Sequence, residues 1–317
     1  MKNIERAAEF VLLMDKQLKN QLFVVNGEVQ GKKLWENTFI KHQLDKRDAG
    51  DKFSVGDHIR AMVYSLLSFG AQWSRLEPYI DINTGEISAI DDLFCQYDTE
   101  KLLSCDPEEI SDKILSYKLG SPYTKKQMNA LITENVSKLL SLERQYGSID
   151  SFYMKILVKD ETQKTLVKEL SSPKSPHKFI QFGEALITEY LKNVGYDIAK
   201  PDRHIRRILG RNILDCSEHE NAPAYEAIDI VAAIARQLNR PAAEVDYILW
   251  AYCAKNYGEI CTKNNPHCDR CVVKIKCTVS PRGEVFQVNG LHGHFTRNNI
   301  IRGTLAHVNG CHPMLCS

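Results

Sequence analysis

Residues 183–211 read GEALITEYLKNVGYDIAKPDRHIRRILGR. In the first half, Leu186, Ile187, Tyr190, Leu191 and Val194 recur at three- and four-residue intervals, which predicts a helix with one apolar face. In the second half Asp202 follows Pro201 and precedes HIRRIL, the place where an aspartate accepts hydrogen bonds from the first free N–H groups of a helix. The same helical spacing spreads upstream through HIRAMVYSLLSF (58–69), EEISDKILSYKL (108–119), KKQMNALITENVSKLLSL (125–142) and DETQKTLVKEL (160–170). Downstream it returns in EAIDIVAAIARQL (226–238) and AEVDYILWAYCAK (243–255). Asp106-Pro107 and Ser175-Pro176 are predicted helix starts, by capping and by proline in the first turn. An amphipathic helix opens the chain, and Asn26-Gly27 between apolar runs predicts a small hairpin. The chain therefore reads as all-α.

The 317 residues are 43% apolar and 26% charged, ordinary globular composition that excludes disorder and collagen. Charges break the apolar residues of MKNIERAAEFVLLMDKQLKN, so it is a poor signal peptide. No run of 18 apolar residues would span a bilayer, and an intracellular, cytoplasmic location is expected. Forty-one Lys and Arg against 40 Asp and Glu give a net charge of +1, a sum that declares no partner. Its distribution does. Residues 198–211 hold five Lys or Arg against Asp202, and residues 261–317 hold seven against two acids, concentrated patches of the kind a phosphate backbone favours.

Cys261, Cys268, Cys271 and Cys277 fall within 17 residues as C-x6-C-x2-C-x5-C. Four thiolates on one loop can wrap one metal centre, and ligand chemistry alone leaves zinc and a cubane iron-sulfur cluster both open. The four-cysteine pattern, with Gly258 before it and Pro266 within it, resembles the cluster loop of the endonuclease III superfamily of helix-hairpin-helix DNA glycosylases. Asp202, His204, Ile205 and Arg207 match that family's Asp-x-His-hydrophobic-x-Arg segment, and Asn193-Val194-Gly195-Tyr196 resembles its 8-oxoguanine-type branch. The resemblance covers most of residues 55–280. It implies a two-lobed fold: a six-helix-barrel-like domain at 55–198 with the helix-hairpin-helix, a cluster domain from 1–54 and 199–280, and a C-terminal extension at 281–317.

The resemblance further implies a [4Fe-4S] cluster on Cys261, Cys268, Cys271 and Cys277, and a duplex DNA partner carrying a damaged, mismatched or modified base. It implies that a monomer flips and excises this base. Asp202 becomes the catalytic carboxylate, beside its plainer reading as a helix cap. Breaking a base–deoxyribose bond builds positive charge on the sugar, which a carboxylate can stabilise or relieve by orienting water. Candidate DNA contacts are Gln72 as the wedge filling the flipped nucleotide's gap, Gln181 and Gly183 of the hairpin, His204, Arg207, and Lys263 in the cysteine loop.

Two departures stand out. The family's Gly-x-Gly appears as Gln181-Phe182-Gly183, one glycine lost. The lysine that bifunctional members carry two residues later is replaced by Ala185, which predicts a monofunctional enzyme with water as nucleophile. A bifunctional glycosylase/lyase and a catalytically silent cluster-bearing DNA-binding protein are the rival readings. Of the other cysteines, Cys95, Cys105, Cys216 and Cys253 are expected to be small buried apolar groups. Cys311, Cys316 and the nearby histidines match no specific ligand spacing.

Overall fold

The computed structural model describes residues 2–25, 27–69, 73–158, 163–274 and 277. Gln72, Asn26, the side chain of Trp73 and the extension 281–317 lie outside the described residues. Among those described, the regular structure is helical apart from one hairpin, Val24–Val25 paired antiparallel with Glu28–Val29, with Val24 opposite Val29. No helix among them is long and apolar enough to cross a membrane.

Two helices occupy the centre. Val55–Leu67 starts at a reciprocal cap in which Ser54 accepts from the Asp57 N–H and the Asp57 carboxylate accepts from the Ser54 N–H, satisfying N–H groups that a helix start leaves free. It packs along Glu184–Asn193, tied by the Ser65 hydroxyl donating to the Leu186 carbonyl at 2.7 Å. Both helices are buried on nearly every side, and the second also buries the polar Thr188, Glu189, Lys192 and Asn193. The helix over 124–146 carries a wider turn at Leu131–Asn135. That turn brings Asn135, fully buried, against the backbone of Ile180.

Buried apolar side chains gather into two main clusters. One runs from Phe39 to Ile198 and takes in Ile228. The other joins the Ile4–Gln17 helix, from Ala7 on, and Phe23 to residues from Ala199 to Val273. Adjacent residues Ile198 and Ala199 thus fall on opposite sides of the change. Gly195 shows why the chain can turn there. Its φ of 78° ends the helix, and a Cβ would lie 2.4 Å from the Gln43 carbonyl oxygen, so a side chain is excluded by both conformation and space.

Two sequence expectations are corrected. Ser175-Pro176 starts no helix; the segment up to Phe182 is a turn, its side chains engaged instead by Glu169, which accepts from the Ser175 hydroxyl at 2.7 Å and lies 2.6 Å from His177 Nδ1. Cys216 and Cys253 are buried, but Cys95 and Cys105 are only half-buried, with their sulfurs 3.7 Å apart.

Candidate active site

Asp202 caps the Arg203–Ile208 helix: its Oδ1 accepts from the His204 N–H at 2.7 Å and the Ile205 N–H at 3.0 Å. Its Oδ2 takes no hydrogen bond among the described residues. The capping and chemical readings of this residue are compatible, because capping orients the carboxylate and leaves one oxygen for other work. Asp202 lines a cavity of about 130 Å³, close to the ~150 Å³ space known to admit a benzene ring. Tyr64, Tyr247, Trp250 and Tyr257 supply aromatic walls, with the Tyr247 and Trp250 rings 6.1 Å apart and the Trp250 and Tyr257 rings 4.6 Å apart.

The other side of the cavity is charged. Lys192 Nζ sits 2.6 Å from Asp246 Oδ2 and 3.0 Å from Glu189 Oε2, all three side chains under a tenth exposed. Lys200 Nζ lies 3.6 Å from the same Glu189 oxygen and donates to Ser68 Oγ at 3.0 Å. Burial lowers the pKa of Lys192, but Asp246 and Glu189 together outweigh it and raise the group above its ordinary range. Glu189 is pulled down to about 2 against its own burial, by Lys192 and then Lys200. Asp246 goes the other way, pushed up to about 6 by burial, with Glu189 and Asp202 adding to it. One ammonium shared by two buried carboxylates cannot hold both down equally.

In the turn before the Glu184–Asn193 helix, Gln181 adopts φ 66°, the left-handed region that glycine favours. The turn is held by Asn135, which accepts from the Ile180 N–H at 2.8 Å and donates to the Ile180 carbonyl at 3.0 Å. Lys178 reinforces it by donating to the Ser171 and Phe182 carbonyls at 2.7 and 3.1 Å. Gly183 precedes the Glu184–Asn193 helix in extended conformation, and a Cβ there would meet nothing within 4 Å. Ala185 lies in the first turn of that helix. The amines that the structure brings to the cavity with Asp202 are Lys32, Lys192 and Lys200.

At the far end of the Arg203–Ile208 helix, Arg207 is half-buried. Its guanidinium donates to the Cys261 carbonyl and lies 3.5 Å from Cys261 Sγ. A thiol hydrogen bond from Cys253 and the Arg207 guanidinium pull the buried Cys261 thiol down to about 6. The cysteine segment is pinned to the first helix by Gln17, which donates to the Arg270 carbonyl at 2.8 Å and accepts from the Tyr252 hydroxyl at 2.9 Å. His204 is half-buried and held below its ordinary pKa by burial, with Arg203, Arg207 and Lys200 adding to the effect. Lys263 is exposed on the loop.

The donor chemistry of Cys261, Cys268, Cys271 and Cys277 suits a thiolate-ligated cluster, with a fixed cation at Cys261 to offset its negative charge. Among the described residues, no three His, Cys, Asp or Glu side chains converge as a ready metal site.

No family model matches the chain. Over 101 residues it is 31% identical to an 8-oxoguanine DNA glycosylase/AP lyase of Aquifex aeolicus, a match covering 31% of this chain and 45% of that protein. The chain thus spans about half the length of that curated relative. A crystal structure of Methanocaldococcus jannaschii 8-oxoguanine glycosylase/lyase, in complex with a 15mer DNA containing 8-oxoguanine, aligns with 76% of this chain and 95% of its own. The sequence identity there is 18% and the TM-score 0.45.

Proposed function

We propose that this chain is a DNA base-excision glycosylase of helix-hairpin-helix type that accepts a flipped base, with 8-oxoguanine the first candidate. The observation that carries the reading is Asp202: half of its carboxylate is fixed by helix N–H groups while the residue opens onto a cavity with aromatic walls. The likeness to a curated 8-oxoguanine DNA glycosylase/AP lyase supports it.

The aromatic walls suit a planar heterocycle. As the bond from C1′ to the base breaks, Asp202 stabilises the positive charge on the sugar or orients the water that attacks it. Ala185 in place of an amine favours hydrolysis, leaving an abasic site and an intact strand. A second reading, strand cleavage through a Schiff base, draws on the AP lyase in the relative's name and on the Lys200 amine beside Asp202 in the cavity. In this proposal Cys261, Cys268, Cys271 and Cys277 hold a [4Fe-4S] cluster, which supplies structure and a positively flanked loop for DNA rather than a step in excision. Lys263 and Arg203 face phosphate, the protein acts as a monomer, and binding weakens steeply with salt.

The test is incubation with duplexes carrying single altered bases, 8-oxoguanine first. Strand breaks appear only after alkali if excision is hydrolytic. Borohydride trapping of a covalent complex, lost in Lys200→Gln, would establish the second reading instead. No excision from any duplex, by protein shown to bind DNA, would reduce the chain to a binding module. Anaerobically purified protein is expected to be brown; colourless protein holding one zinc would overturn the cluster.

A further inference from the structure

Cys95 and Cys105 stand apart from the cysteine loop, ten residues from each other in sequence, with sulfurs 3.7 Å apart and both half-exposed. Cys95 begins a turn of three consecutive left-handed residues: Cys95 at φ 53°, Gln96 at 51° and Tyr97 at 61°. Side-chain-bearing residues adopt that conformation only where surrounding contacts impose it. Here the imposing contacts belong to Tyr97. Its ring is buried and stacked on Phe94 with centroids 6.2 Å apart, and its hydroxyl donates to Asp91 Oδ1 at 2.6 Å. Asp91 also accepts from the Tyr64 hydroxyl at 2.9 Å, and Tyr64 is a wall of the cavity that holds Asp202. The two thiols thus lie at one end of a short chain of contacts that reaches the candidate site.

We propose that Cys95 and Cys105 form a reversible modification site, a dithiol that a small-molecule disulfide of the oxidised-glutathione class converts into an internal Cys95–Cys105 disulfide. In the first step the Cys95 thiolate attacks one sulfur of the small disulfide. A mixed disulfide forms and one small thiol leaves. The Cys105 thiolate then attacks the Cys95 sulfur, the protein disulfide forms, and the second small thiol leaves. Two protein thiols are oxidised, one small disulfide is reduced, and the two thiol protons end on the two released thiols. Burial and the neighbouring Cys95 hold the Cys105 thiol above its ordinary pKa, which disfavours it as the first attacker; its sulfur, 3.7 Å from that of Cys95, makes the second attack intramolecular. Closing the sulfurs to bonding distance, about 2.0 Å, asks for a small movement between half-exposed groups. By contrast, Cys253 and Cys261 also touch, but both are buried and closed to such a reagent.

The bond would tie the segment after Asp98 back onto the left-handed turn and restrict the Tyr97–Asp91–Tyr64 contacts. The inference is independent of the proposed glycosylase activity. Full-length protein is treated with oxidised glutathione, blocked with N-ethylmaleimide, digested without reductant and mapped by mass spectrometry. The expected product is a crosslink between the peptides holding Cys95 and Cys105, two hydrogens lighter than their sum and reversed by dithiothreitol. Cys105→Ser is expected to accumulate a glutathione adduct on Cys95, and Cys95→Ser to react at Cys105 at least about tenfold more slowly. A stable glutathione adduct on Cys95 of the unmodified protein, a crosslink from either cysteine to another position, or complete blocking of both by N-ethylmaleimide overturns the proposal.

Discussion

The two ends of the Arg203–Ile208 helix face different chambers. Asp202, at its start, opens onto the cavity where Glu189 and Asp246 share Lys192 and Glu189 also meets Lys200. Arg207, near its end, is a cation set among thiols and bound to Cys261. One surrounding is rich in buried carboxylates and the other in sulfur, with the helix joining them. The contrast teaches that a run such as Arg203, His204, Arg206 and Arg207 is not one basic surface. Arg203 is exposed, Arg206 donates to the Ala222 carbonyl at 2.8 Å, and Arg207 turns inward.

The strongest way to break the comparison is to empty the cavity side of its shared cation. Lys192→Met leaves Glu189 and Asp246 buried without it, and a loss of roughly 3–5 kcal/mol of unfolding free energy is expected in urea titrations. A loss below 1 kcal/mol would mean the carboxylates already share their charge with water. Asp202→Asn sharpens the contrast differently. The amide oxygen still caps the helix, so stability should change little while base excision falls by about 100- to 1,000-fold. Full activity in that variant would remove Asp202 from the chemistry.

The cavity also predicts an unusual pH response. Asp246 has its folded pKa raised from 3.8 to about 6, so protonation favours the fold and stability is gained as pH falls through 6. His58, buried beside Tyr190, has its folded pKa lowered from 6.5 to about 4. Its contribution is present above 6.5 and lost as pH falls towards 4. Each effect is worth roughly 3 kcal/mol, and they oppose one another. Asp246→Asn should uncover the histidine alone and lose roughly 3 kcal/mol between pH 6.5 and 4, where the unmodified protein changes little; matching pH profiles would refute the balance.

On the sulfur side the expected effects are smaller. Arg207→Met removes a charged donor from Cys261 and should cost about 2 kcal/mol, with faster proteolytic cutting within residues 255–274; an unchanged cutting rate would mean Gln17 alone holds the segment. The smallest change is expected at Gln181→Gly, which relieves a left-handed side chain and should add up to about 1 kcal/mol. A loss there would show that the glutamine side chain has a partner of its own.

Much of this was legible in advance, though unevenly. Helices at 55–67, 107–116, 184–193, 224–238 and 242–253 follow from apolar spacing, because a helix buries whatever recurs every three or four residues. Asp202 was legible as a cap for an equally local reason. The left-handed turn at Gln181 was not, since it is braced by Asn135, 45 residues from the Ile180 it grips. The pairing of Arg207 with Cys261 was not legible, because a positive charge in sequence does not say which way its side chain turns. Cys95 and Cys105 were read as buried packing because their spacing carries no pattern, while the left-handed turn that brings them together depends on Asp91 and Tyr97.

The sequence by itself determined the helical elements, the cap at Asp202 and the grouping of Cys261, Cys268, Cys271 and Cys277 on one segment. These depend on backbone hydrogen bonds and apolar periodicity acting over a few residues. Only the tertiary structure decided which charges share a cavity, which thiols touch, and that Lys192 meets Asp246 54 residues away. Burial and ion pairing depend on which distant segments close around a group, and one strand of letters does not record that.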